Sequence, residues 1–151
     1  MTRTPVRDDA PLHFPIHIPF VEHLGLELHA LADGEAELRI DLDTVHMNSW
    51  EVAHGGVVMT LLDVAMAHAA RSEGAATGMA TIEMKTSFLR PATGALRALG
   101  RRLHRTATLA FCEARLYDGQ GRLCATASGT FKSPRARAAR AAPDSTEENP
   151  R

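Results

Sequence analysis

The chain has 151 residues, of which 44% are hydrophobic and 23% charged, with a formal net charge of -1. That length fits one globular domain able to bury about two thirds of the surface its unfolded chain exposes. The near-neutral charge excludes a general attraction to nucleic acid or acidic membranes, and no segment approaches the roughly 20 apolar residues that span a bilayer.

The first residues, with Pro5, Pro11 and Pro15 among mixed charges, read as a flexible or loosely docked lead-in over 1–15 without core contacts. They lack the apolar core of a signal peptide, so a cytoplasmic location is expected. Pro19 to Leu24 forms a short helix ended by Gly25, after which Leu24, Leu26, Leu28 and Ala30 alternate with Gly25, Glu27 and His29 as in a strand. Asp33-Gly34 marks a hairpin turn, and beyond it Ala36, Leu38, Ile40 and Leu42 alternate with Glu35, Glu37, Arg39 and Asp41. Residues 43–53 are irregular and hold Asn48 and the single tryptophan, Trp50. Gly55-Gly56 opens a helix that ends near Arg71 to Gly74. Four strands follow, over 78–88, 95–105, 109–117 and 122–131, the last two joined by an Asp118 to Gly121 turn. From Ser133 the Ala/Arg run reads as a disordered tail, leaving one domain over 16–132. Cys112 and Cys124 lie in apolar-alternating segments without CxxC spacing and read as reduced core thiols.

The order of two strands, one long helix and four strands predicts an α+β fold, an antiparallel six-stranded sheet wrapped around one central helix. That helix is apolar on every side and should be buried throughout. Asp63 in its middle needs an explanation, because a buried unpaired carboxylate is among the costliest groups a core can hold. The bland explanation is a salt bridge to a core arginine; the functional one is a reactive carboxylate.

Asn48, His54-Gly55-Gly56 and Asp63, in that order and spacing, resemble the hotdog-fold acyl-CoA thioesterases, in particular the phenylacetate-degradation (PaaI-like) and Arthrobacter-type 4-hydroxybenzoyl-CoA thioesterases. The resemblance covers about residues 20–132, and its specific part is residues 48–63. It implies an acyl-CoA substrate, no cofactor beyond the coenzyme A that the substrate carries, and active sites at a homodimer interface; a homotetramer is the expected assembly, with dimer and tetramer left open by the sequence. It also implies that Thr81 stands where related enzymes place a hydroxyl that orients water. A β-branched strand former explains Thr81 equally well, although its alternation with Glu83 and Lys85 suits a site-facing hydroxyl.

The chemistry fits these residue types. Thioester hydrolysis needs donors where charge develops on the carbonyl oxygen, and a carboxylate that attacks or activates water. The Gly55 amide at a helix N-terminus is such a donor, with no Cβ to obstruct approach. Asn48 either adds a side-chain amide or holds the loop, and Asp63 is either nucleophile or general base. His54 and Gly56 are candidates to bind substrate, His54 with structural loop-tying as the stronger alternative. The stretch Ser87-Phe88-Leu89-Arg90-Pro91 and the basic group Arg101, Arg102, His104 and Arg105 are candidates to meet coenzyme A phosphates. Trp50, Val52, Met59 and Met66 are candidates for an acyl pocket, with core packing the stronger alternative for the methionines.

Gly55 and Asp63 are eight residues apart on one helix, about 12 Å along its axis, too far to reach one thioester carbon. Two helices packed antiparallel would bring Gly55 of one chain beside Asp63 of the other. Rival readings are a hotdog hydratase or dehydratase and a non-catalytic acyl-CoA-binding protein. His13-Phe14-Pro15 matches the start of a dehydratase signature, but it precedes the first strand and lacks the apolar run that should follow. Asp63 argues against mere binding, and the eight histidines form no convincing metal set.

Overall fold

The computed structural model describes residues 10–71 and 78–133. Helix α1 (Pro19–Leu24) begins at a proline, whose missing N–H a first helical turn does not need, and ends at Gly25. Strands β1 (Glu27–Ala32) and β2 (Glu35–Asp41) form the predicted hairpin. Its turn residues Asp33 and Gly34 have φ of 51° and 77°, the left-handed conformation that a two-residue turn of this twist requires. Helix α2 (Gly55–Arg71) then crosses the inner face of the sheet, followed by β3 (Ala80–Phe88), β4 (Ala95–Arg105), β5 (Leu109–Asp118) and β6 (Leu123–Lys132). All pairings are antiparallel and the spatial order is β1-β2-β4-β5-β6-β3. This is the hotdog arrangement, with β1 and β3 at its edges.

The core lies between α2 and the inner sheet face. Leu61, Leu62, Ala65, Met66 and Ala69 of α2 are fully buried against Leu38, Leu96, Ala98, Leu116 and Phe131. Each buried leucine or methionine contributes about 1.5–3 kcal/mol relative to exposure, so this layer dominates stability. Small residues let the helix approach closely. A Cβ added at Gly100 would stand 2.9 Å from the Met66 nitrogen and nearer still to the Ala65 carbonyl, so helix backbone rests directly on β4 there.

Several expectations are corrected. Residues 10–15 are docked rather than loose: the Leu12 amide donates to the Leu28 carbonyl at 2.6 Å, and Phe14 packs on the core with its ring edge-on to His68. Residues 1–9, 72–77 and 134–151, which include most of the predicted lead-in, the end of the helical pattern and the tail, lie outside the described residues. The alternation of β1 breaks at a bulge between Leu28 and Ala30, so Ala30 is exposed and Leu31 packs on the core instead. Burial of α2 on every side fails along one stripe: Met59 is 39% exposed, and Asp63 and Ala67 are only half-buried. These positions, four residues apart, share one helix face. Beside that stripe runs β3, most of whose residues are exposed on both faces, Ile82 at 56%. Among the described residues no strand pairs with its outer edge.

Candidate active site

Residues 43–54 set the N-terminus of α2. The Asp43 carboxylate accepts from the Thr44 amide at 2.6 Å, and the Asp43 amide donates to His46 Nδ1 at 2.9 Å. His46 Nε2 therefore carries the proton and donates to the Leu24 carbonyl at 2.9 Å, fastening the loop to α1. Asn48 holds the next turn, its Oδ1 accepting from the amides of Trp50 at 2.9 Å and Val52 at 3.4 Å. With Oδ1 so engaged, the side-chain NH2 is the donor group Asn48 has besides its backbone amide.

His54 caps α2. Its Nδ1 accepts from the Gly56 amide at 2.9 Å and its carbonyl accepts from Val57 and Val58. The Gly56 N–H is thereby occupied, which removes it as a substrate donor. The Gly55 N–H has no acceptor among the described residues. It sits at the positive end of a 17-residue helix, where an anion or developing oxyanion is favoured.

Gly55 and Asn48 open on an apolar cavity of about 350 Å3. Trp50, Phe88 and Leu89 form its exposed rim, at 82%, 56% and 50% exposure. Val58, Leu116, Cys124 and Ala125, all buried, form its floor. One wall hangs on β6: the Cys124 carbonyl accepts from the amides of Leu89 at 2.8 Å and Arg90 at 3.0 Å, and Arg90 Nη1 donates to the Leu123 carbonyl at 2.8 Å. The wall is tied in turn to the loop by the Ala53 amide, which donates to Ala92 at 2.9 Å.

Asp63 lies elsewhere. Its carboxylate accepts from the Thr81 hydroxyl at 2.8 Å, on the uncovered stripe of α2. Burial pushes the Asp63 carboxyl above its usual range, and the Thr81 hydrogen bond, which favours the carboxylate, opposes that rise. Thr81 reaches it because β3 carries a bulge at Ile82: Thr81 pairs with inward-facing Phe131, whereas Glu83 pairs with Thr130 and accepts its hydroxyl at 2.7 Å. The predicted alternation of Thr81 with Glu83 is therefore wrong, and the two residues occupy opposite faces.

The sequence candidates thus divide. Asn48, Gly55, Trp50, Val52 and Arg90 gather at the cavity, and Asp63 and Thr81 form a separate pair. Ser87 is brought to neither; it faces outward beside Lys85 and Arg115, since the inward neighbour in that alternation is Phe88. Met66 is core and Met59 lies on the uncovered stripe. Arg101 pairs with Glu113 at 3.7 Å, the Arg102 guanidinium meets the Ala70 carbonyl, and His104 stacks on Phe111, all away from the cavity. A depression of about 400 Å3 on the outer sheet face, lined by Glu35, Glu37, Arg101 and Glu113 among others, includes neither Gly55 nor Asp63. Among the described residues no cluster of three or more metal-ligating side chains occurs, and no helix is long and apolar enough to cross a membrane.

His46, Ala92, Leu116 and Ala125 are not legible as site residues, and Leu89 and Pro91 stand out only as part of the 87–91 stretch expected to meet coenzyme A phosphates, whereas they line the cavity. The cavity walls come from segments about 33–70 residues from Gly55, and only the Leu123-Cys124-Ala125 run, three apolar residues where alternation is due, marks an irregularity.

Residues 51–125 match the thioesterase superfamily. A conserved protein of Pseudomonas aeruginosa is 31% identical, with 85% of this chain and 98% of that one covered and a TM-score of 0.73. A mutant of the phenylacetic acid degradation protein PaaI from Thermus thermophilus is 26% identical over 76% of this chain and 98% of its own, with a TM-score of 0.69. A medium/long-chain acyl-CoA thioesterase of Salmonella typhimurium is 31% identical over 97 residues, 54% of this chain and 63% of its own length.

Proposed function

The chain belongs to the thioesterase superfamily, and on that premise we propose that it hydrolyses an acyl-CoA thioester to the free acid and coenzyme A, with two chains sharing each site. One observation carries this reading. A Gly55 amide without a partner opens on an apolar cavity, while the Asp63–Thr81 pair waits about 12 Å along the same helix.

In the proposed reaction the thioester oxygen accepts from the Gly55 N–H, with the Asn48 NH2 as a second donor. Both are held before substrate arrives, by the helix cap and by the Asn48 turn, so they stabilise developing charge without reorganisation. The Asp63 carboxylate of the second chain either removes a proton from water as it adds to the carbonyl carbon or adds itself to form an anhydride that water then opens. The carbon–sulfur bond breaks in either route and coenzyme A leaves as its thiol. Thr81 keeps the carboxylate oriented.

The uncovered stripe of Met59, Asp63 and Ala67, with the open edge of β3 beside it, supports an antiparallel second copy as what covers both. The homodimer is then the minimal catalytic unit, and a homotetramer is two such dimers. Arg90 at the cavity rim is the basic residue best placed to meet coenzyme A.

Thiol release from a panel of acyl-CoAs tests the reading. Wild type should turn over at least one of them, and Asp63→Ala should lose at least 100-fold in kcat. Mixing Asp63→Ala with an inactive Gly55→Pro chain, which lacks the amide donor, should restore activity in heterodimers, whose one intact site takes both working residues. Equal rates for wild type and Asp63→Ala would remove Asp63 from the mechanism, and proven heterodimers without recovery would remove the shared site.

A further inference from the structure

Resting on the thioesterase reading, we infer that the cavity beside Gly55 takes one uncharged acyl group of about 8 to 10 non-hydrogen atoms, and that Ala125 and Cys124 on the β6 bulge set its length. The cavity's 350 Å3 corresponds to roughly a dozen water-sized units, at the small end for ligand pockets. An acyl chain of about eight carbons or a single ring with a short linker fits; a sixteen-carbon chain does not.

The cavity has a direction. Its rim, Trp50, Phe88 and Leu89, is exposed, and its floor, Val58, Leu116, Cys124 and Ala125, is at most 3% exposed. With the carbonyl held at Gly55 near the mouth, the acyl group runs to the floor while coenzyme A leaves past the rim. The four floor residues carry no charge, and the one charged residue of the lining, Arg90, is exposed and held to the Leu123 carbonyl, so a terminal carboxylate reaching the floor would have to displace that contact or be desolvated without a partner.

The floor exists because of a bulge. Leu116 pairs with Ala125 and Tyr117 with Leu123, which leaves Cys124 as an extra residue in β6. Cys124 and Ala125 are consequently both buried, at 1% each, although adjacent in sequence. Both are small, and their side chains leave the space that the acyl end occupies. The same extra residue supplies the carbonyl that holds Leu89 and Arg90, so depth and wall share one device.

The test measures kcat/KM for acetyl-, hexanoyl-, octanoyl-, phenylacetyl-, hexadecanoyl- and succinyl-CoA with wild type, Ala125→Leu and Ala92→Leu. In parallel it follows quenching of Trp50, the single tryptophan, by the non-hydrolysable thioether S-octyl-CoA. Wild type should gain about fourfold per methylene up to octanoyl and nothing beyond, and should use succinyl-CoA at least 100-fold less well than hexanoyl-CoA. Ala125→Leu should cut octanoyl-CoA at least tenfold more than acetyl-CoA and weaken S-octyl-CoA binding in proportion. Ala92→Leu, also in the cavity lining, gives the same pattern should Ala125→Leu fail to fold. A preference for hexadecanoyl- or succinyl-CoA overturns the inference, as does equal loss on acetyl- and octanoyl-CoA in folded variants. S-octyl-CoA binding that depends on Ala125, without cleavage of any thioester, would keep the pocket and remove the hydrolase reading.

Discussion

Gly100→Ala tests whether α2 is seated on bare backbone. The added methyl group would stand 2.9 Å from the Met66 nitrogen and closer to the Ala65 carbonyl, whereas ordinary contacts begin near 3.5 Å. Neither neighbour is the end of a flexible side chain; both are helix backbone. The helix must therefore retreat on the order of 1 Å from β4, and overpacking of this kind costs about 1–3 kcal/mol. For a chain of this length that lowers Tm by roughly 2–12 °C. The functional loss should be larger in proportion, because Asp63 lies two residues before Ala65 and Gly55 lies on the same rigid helix. A misplacement of about 1 Å reduces kcat on the order of 100-fold. Gly119→Ala is the control: its Cβ would meet the Ala95 carbonyl at 3.6 Å, so its stability should stay within about 0.5 kcal/mol of wild type. Thermal unfolding followed by circular dichroism, with thiol release on the same samples, measures both effects. A Gly100→Ala protein matching Gly119→Ala in midpoint and kcat would refute the close seating of α2.

Thr81→Ala should move the acid limb of the pH–rate profile to higher pH. Burial already raises the Asp63 carboxyl and the Thr81 hydroxyl is what opposes it, so its loss raises the pKa further. The carboxylate is the working form in either mechanism, so the rate falls as pH drops through that pKa; Thr81→Ser should restore the wild-type limb. A limb that stays in place or moves to lower pH would separate Thr81 from Asp63 ionisation. His54→Ala removes the acceptor of the Gly56 amide and should cost about 1 kcal/mol, or 2–4 °C in Tm. His54→Asn, whose shorter side chain can still accept at a helix N-terminus, should recover most of that loss, and equal midpoints for the two variants would show that the cap contributes nothing.

The element order was legible because each element signals itself locally: alternation in β2, glycine at the ends of α1 and α2, Asp-Gly in the first hairpin. Asp63 was legible for the opposite reason, as a residue that local physics disfavours. What could not be read is where strands slip. Bulges at Leu28/Ala30, at Ile82 and at Cys124 are set by which residues pair across the ladder, and pairing joins segments far apart in sequence. A one-residue slip exchanges faces, which is why alternation alone points Ala30 inward and groups Thr81 with Glu83.

Two of those slips fall on the candidate site, and each performs a task that regular pairing would not. The Ile82 bulge lets Thr81 face inward to Asp63 while Glu83, two residues on, faces out to Thr130. The Cys124 bulge puts two consecutive small side chains under the Gly55 cavity and offers one carbonyl to two wall amides. Donor choice at the helix start was hidden for a related reason. Gly55 and Gly56 are equivalent in sequence, and only the His54 side chain, turned onto the second, leaves the first free. A regular hotdog sheet with a regular helix start would present a carboxylate and an amide with neither oriented. The departures from regularity are what would turn the scaffold into the two half-sites of the proposed dimer.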